Sequence, residues 1–214
     1  MERRSFLKEA GLGAGALTVV GIGQGGLGQA EEPPPRVVPT VIVSKDKTGT
    51  TAKVMELLAG GADALDAVIA GVNLVEEDPN DITVGYGGLP NERGVVELDA
   101  SVMHGPTGMA GAVAALQKIK YPSRVARLVM EQTDHVLMVG EGALEFARAQ
   151  GFPEENLLTE KSRKIWLHWK QTLSDKDDWI PPPEAEWSSE VRDYLRTYGT
   201  IHCSAIDAKG NISA

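Results

Sequence analysis

Between residues 63 and 76 the apolar side chains Leu65, Val68, Ile69, Val72 and Val75 recur at the spacing that puts them on one face of a helix. This pattern predicts an amphipathic helix. Upstream, Val41-Ile42-Val43-Ser44 reads as a short buried strand, and Thr48-Gly49-Thr50-Thr51 stands where it can cap a helix running through Leu58. Ala59-Gly60-Gly61 closes that helix with a glycine cap. Downstream, residues 95–103 alternate as a strand does and are turned by His104-Gly105-Pro106. Residues 109–119 and 123–131 read as two helices separated by Tyr121-Pro122, where the proline suits a helix start. Residues 136–139 form another short strand, and residues 141–150 a helix stopped by Gly151 and Pro153. A last apolar, β-prone run follows Thr200 and ends in the turn-forming Lys209-Gly210-Asn211.

Other stretches carry no such period. Residues 84–91 hold three glycines and a proline, a tight loop in which backbone can approach another group closely. It has neither the GKS/GKT ending of a phosphate loop nor spaced dinucleotide-binding glycines. After residue 154 the composition shifts. Trp166, Trp169, Trp179 and Trp187 sit among charged residues, with Pro181-Pro182-Pro183 between the last two. Residues from about 171 to 198 read as a linker; its tryptophans fit either a surface that binds carbohydrate or a partner, or a strap tacked to the body.

The first residues read as an address. Arg3-Arg4 precedes Phe6-Leu7-Lys8, a glycine-rich apolar stretch and a small-residue exit near Ala30, which resembles a twin-arginine export signal over residues 1–30. A periplasmic or secreted location follows as an expectation, with no membrane attachment of the mature form. Residues 31–40 form a proline-rich leader. The whole chain carries a net charge of −9. Losing Arg3, Arg4 and Lys8 with Glu2 and Glu9 makes the remainder one unit more negative. An acidic chain with no basic stripe argues against a nucleic-acid partner. The single cysteine, Cys203, excludes an intrachain disulfide framework and reads as a buried structural thiol.

Candidate chemistry gathers at Thr200. If the Gly199–Thr200 bond is cut, the new amine and the hydroxyl lie on one residue, and the amine can act as the base for the hydroxyl. A plain strand start after a loop explains an isolated Gly-Thr as well. His202 shares a strand face with Thr200, but such neighbours rarely come within hydrogen-bonding distance. His104, His135 and His168 are scattered without metal-ligand spacing. Asp66 and Glu76-Glu77-Asp78 read as a solvated face and a helix end.

Taken in order, five segments resemble the glycosylasparaginase branch of the N-terminal nucleophile hydrolases. They are Gly60-Gly61-Ala62-Asp63-Ala64-Leu65-Asp66-Ala67-Val68, the loop Val84-Gly85-Tyr86-Gly87-Gly88-Leu89-Pro90-Asn91, and Leu98-Asp99-Ala100-Ser101-Val102-Met103 with Gly111-Ala112-Val113. The fourth runs from Val125-Ala126-Arg127-Leu128-Val129-Met130-Glu131 to Gly140-Glu141-Gly142-Ala143, and the fifth is Thr200-Ile201 with Ile206-Asp207-Ala208-Lys209-Gly210-Asn211. The resemblance implies an α+β fold, the four-layer αββα sandwich, incomplete in this chain. Residues 41–199 would be the α-subunit part and residues 200–214 the start of the β subunit. It also implies self-cleavage between Gly199 and Thr200, with Thr200 the catalytic nucleophile, and pairing of αβ units.

The implied substrate is N4-(β-N-acetylglucosaminyl)-L-asparagine or a related asparagine-like amide, hydrolysed without cofactor or metal. Isoaspartyl peptidase or L-asparaginase activity is the alternative within the family. Two positions depart from the branch. Lys45 stands where it has a substrate-side Trp, and Gly199 stands where it has Asp before the threonine. By the resemblance, the remainder of the β subunit is a required partner. The expectation for the 214 residues alone is a non-catalytic fragment or pseudoenzyme.

Overall fold

A computed structural model describes residues 37–44, 46, 48–172 and 199–214. The export signal, Lys45 and the linker tryptophans Trp179 and Trp187 lie outside the described residues. The described elements are β1 (Thr40–Val43), α1 (Thr50–Ala59), α2 (Ala64–Glu76), β2 (Glu97–His104), β3 (Met109–Gln117), α3 (Pro122–Gln132), β4 (Leu137–Val139), α4 (Gly140–Ala149), α5 (Glu160–Thr172), β5 (Cys203–Ile206) and β6 (Ile212–Ser213). The strands form one sheet in the order β1-β5-β6-β2-β3-β4, antiparallel except for β3 beside β4.

Helices α1 to α4 cover one face. Val102, Val113 and Leu116 point from β2 and β3 into a cluster with α3 and α4, while Cys203 and Ala205 point from β5 into one with α1 and α2. Residues such as Leu65, Leu116 and Ile119 are almost wholly buried, each stabilising the fold by about 1.5–3 kcal/mol. The alternate positions Ile42, Met103, Leu137, Val139 and Ile212 are exposed on the other face. One sheet under one helical layer is the expected α+β class, consistent with the N-terminal nucleophile hydrolase fold.

Most predicted elements are present. Asp63 caps α2, accepting from the backbone of Leu65 at 2.8 Å and of Asp66 at 3.4 Å. Gly60-Gly61 closes α1, with Ala62 N–H returned to Leu57 C=O at 3.0 Å. Its start differs from expectation: Gly49 holds the cap position without a side-chain bond, and Asp46 accepts from Thr51 N–H at 3.0 Å.

The larger correction is residues 109–119. In place of the expected helix they form β3, hairpin-paired with β2 from His104↔Met109 to Glu97↔Gln117. Their small side chains serve packing rather than helix propensity. A Cβ on Gly111 would stand 2.2 Å from Ala126 O and 2.6 Å from Met130 N, so α3 lies directly on the strand backbone. A bulge opposite Asp99 shifts the phase, with Ala115 at φ 49° and its N–H donated to Asp99 Oδ1 at 2.7 Å. That shift returns Leu116 to the core.

Candidate functional site

The β1 and β5 ends meet at Ser44. Ser44 N–H donates to His202 C=O at 2.9 Å, and His202 N–H donates to Ser44 Oγ at 2.9 Å. Ser44 Oγ in turn reaches Thr200 C=O at 3.4 Å. Thr200 therefore lies three residues before the ladder of β5 begins, exposed, with its hydroxyl making only a 3.4 Å contact to Ile201 C=O. His202 turns away from it: His202 Nε2 lies 2.7 Å from Ser204 Oγ. The face-sharing positions 200 and 202 thus do not form a pair, as strand geometry anticipates.

Gly199 and Thr200 line a groove of about 920 Å³ whose other walls include Thr83, Gly85, Glu76 and Ser123. The start of the glycine-rich loop, Val84 and Gly85, therefore lines the same groove as Thr200. Gly85 has φ +59°, and a Cβ there would lie 2.1 Å from Glu76 O, so no side chain fits. Tyr86 N–H donates to that same carbonyl at 2.7 Å. Thr83 is folded over Asp81, its N–H 2.8 Å from Asp81 Oδ1.

Glu76 corrects the reading of the acidic run as a solvated helix end. It is 3% exposed. Glu76 Oε1 accepts from Ser123 N–H at 3.1 Å, and Oε2 accepts from Ser123 Oγ at 2.8 Å and Asn73 Nδ2 at 2.6 Å. Arg124 Nε donates to Asn73 Oδ1 behind them. Burial pushes the carboxyl up to about 7 although every one of these donors favours the charged form. Asp66, by contrast, is exposed as its pattern predicted, and it pairs with Arg127. Residue type does not separate Glu76 from Glu77; the signal that could have found it is its place as the last apolar-face position of α2.

Cys203 is buried, and burial raises its thiol to about 11, which fits a structural residue and not a nucleophile. His104 Nε2 pairs with Asp63 Oδ2 at 3.2 Å, away from the groove lining. Among the described residues no group of three or more His, Cys, Asp or Glu could hold a metal ion. No described helix is long and apolar enough to cross a membrane. The geometry brings together Gly199, Thr200 and the loop. Ser44 and Glu76 join them from positions that sequence reasoning left as strand end and surface.

A family model described as asparaginase matches residues 22–214. The chain is similar to the N(4)-(beta-N-acetylglucosaminyl)-L-asparaginase of Elizabethkingia miricola, 40% identical over 213 residues, covering 99% of this chain and 58% of that protein. It is also 40% identical over 161 residues to an isoaspartyl peptidase/L-asparaginase of Xenopus laevis, covering 74% of this chain and 47% of that one. A plant-type L-asparaginase of Pyrococcus abyssi is 49% identical over 110 residues, covering 51% of this chain and 36% of that protein. The chain spans about half the length of the curated relatives it matches.

Proposed function

The chain belongs to the asparaginase family, and from that premise we propose that the protein is a self-activating amidohydrolase of the glycosylasparaginase type. Its nucleophile is Thr200. The observation that carries this reading is the position of Thr200, exposed at the head of β5 in a groove walled by the glycine-rich loop.

Activation would proceed by attack of Thr200 Oγ1 on the Gly199 carbonyl carbon. The amide bond to Thr200 N breaks as an ester forms, and water then hydrolyses that ester. The freed amine, with a reference pKa of about 7.7–8.0, takes the hydroxyl proton at working pH. Thr200 Oγ1 next attacks the side-chain amide carbon of the substrate. The leaving amine departs with a proton, and water releases aspartate from the acyl-enzyme. The route uses neither metal nor organic cofactor. The substrate is N4-(β-N-acetylglucosaminyl)-L-asparagine, in keeping with the name of the 40%-identical relative. The isoaspartyl peptidase and asparaginase relatives favour a second reading with β-aspartyl peptides or free asparagine. Export to the periplasm or beyond and pairing of αβ units belong to the same proposal, as does completion of the site by the remainder of the β subunit.

Intact mass with N-terminal sequencing of the protein purified from its source tests the first step. The expected result is a chain beginning Thr200-Ile201-His202. A bond still intact between Gly199 and Thr200 in active protein would overturn the mechanism. Parallel assays with the three amides decide the substrate.

A further inference from the structure

Helix α5 lies along residues 80–92, which include the glycine-rich loop, and touches them mainly from one stripe. Lys161 Nζ donates to Asn80 C=O at 2.8 Å, Ser162 Oγ donates to Gly87 C=O, Trp166 Nε1 donates to Glu92 C=O at 3.3 Å, and Lys170 Nζ pairs with Glu92 Oε1 at 3.1 Å. Positions 162, 166 and 170 are four apart and stack on one face. The bonds of Lys161, Trp166 and Lys170 are exposed, where such contacts contribute little. Ser162 differs, being 0% exposed and giving its hydroxyl to a buried carbonyl.

Gly87 has no side chain to fix it. Its φ is +104°, and a Cβ would stand 2.9 Å from Pro79 O, so the position is held only through backbone. Gly87 N–H goes to Leu157 C=O at 3.0 Å, and its C=O goes to Ser162. Two residues earlier ends the run Thr83, Val84, Gly85, which faces the groove with Thr200. The geometry points to Ser162 as a positioning residue: through Gly87 it sets where residues 83–85 stand in the groove that Thr200 also lines, and so governs substrate binding. This rests on the amidohydrolase reading for its consequence in catalysis, but not for its mechanical part. Without the hydroxyl, the Gly87 carbonyl is buried unpaired, and the loop opens about ten- to a hundredfold more often.

Hydrogen exchange and kinetics on the whole protein, including the remainder of the β subunit, test it, comparing wild type with Ser162→Ala, Ser162→Cys and the rim control Lys161→Ala. Cysteine keeps the volume but is a weak donor, and it serves if the alanine variant fails to fold. In Ser162→Ala, amides 83–88 should exchange about tenfold faster or more while α2 and β2 stay protected. KM for the amide substrate should rise about fivefold with kcat within about twofold, and Lys161→Ala should match wild type. Unchanged exchange at 83–88 overturns the proposal, as does a uniform acceleration across all elements with KM unaltered. If the wild-type protein hydrolyses none of the amides, the amidohydrolase reading fails, while the exchange comparison still decides the role of Ser162.

Discussion

Ser44 and His202 hold each other twice, backbone to backbone and backbone to hydroxyl, both at 2.9 Å. The backbone rung joins β1 to β5; the hydroxyl adds the reach to Thr200 C=O. In Ser44→Ala the rung survives and the hydroxyl contacts do not. The expected stability loss is about 1 kcal/mol, the net worth of one hydrogen bond. Thr200 loses its brace, so kcat/KM should fall about tenfold, more than the stability change accounts for. Thermal melts alongside steady-state kinetics separate the two; equal activity in Ser44→Ala would remove Ser44 from the site.

Thr200→Ala should leave a single uncleaved chain, since neither the acyl shift nor the substrate attack has a nucleophile. Activity should fall by at least about a thousandfold. Thr200→Ser keeps the hydroxyl and should still yield two chains, more slowly. Intact mass over time reads both.

Glu76 makes stability depend on pH. Its ordinary pKa of 4.5 is pushed to about 7 in the fold by burial. Between these values the folded protein keeps a proton that the unfolded chain releases, so stability falls as pH rises through that window. Glu76→Gln stays neutral and should flatten this part of the curve, although its amide must turn a donor toward Ser123 N–H or Asn73 Nδ2, which lowers stability at every pH. Denaturant titrations at pH 5 and pH 8 measure this. A wild-type stability that rises across the window would contradict it.

Gly111→Ala places a methyl 2.2 Å from Ala126 O, and α3 must shift to admit it. A loss of about 1–3 kcal/mol is expected, the usual cost of overpacking, read as a lower melting temperature. Gly108→Ala is the contrast. No atom lies within 4 Å there, so only the cost of φ +66° applies.

Cys203 should not react with thiol reagents at pH 8 in the folded protein, because its thiol is buried and raised to about 11. Denaturation should release one reactive equivalent.

The amphipathic α2, its Asp63 cap and the glycine closure of α1 were legible because each is encoded within a few residues. The strand β3 was not. Its Ala-rich run favours helix locally, and only the partner β2 and the helix lying on Gly111 decide otherwise. Thr200 and the loop became legible through the order of family segments, not from the Gly-Thr pair itself. Ser44, Glu76 and Ser162 stayed hidden for one shared reason. Each is an ordinary polar residue whose hydrogen bond is to a partner far along the chain: His202, Ser123 and Gly87 respectively.

The strand order β1-β5-β6-β2 has a consequence in time as well as in space. Among the described strands, β1 and β2 are not neighbours; β5 and β6, made after β4, are inserted between them. During synthesis, α1 and α2 have β1 to lie on, and β2 to β4 can assemble with α3 and α4, but the halves have no common sheet until residues beyond 200 arrive. Long-range pairing of this kind comes late in folding. The Gly199–Thr200 bond therefore reaches its groove only when β5 pairs with β1, so under the self-cleavage proposed above the nascent chain carries a built-in delay between being made and being able to cut itself.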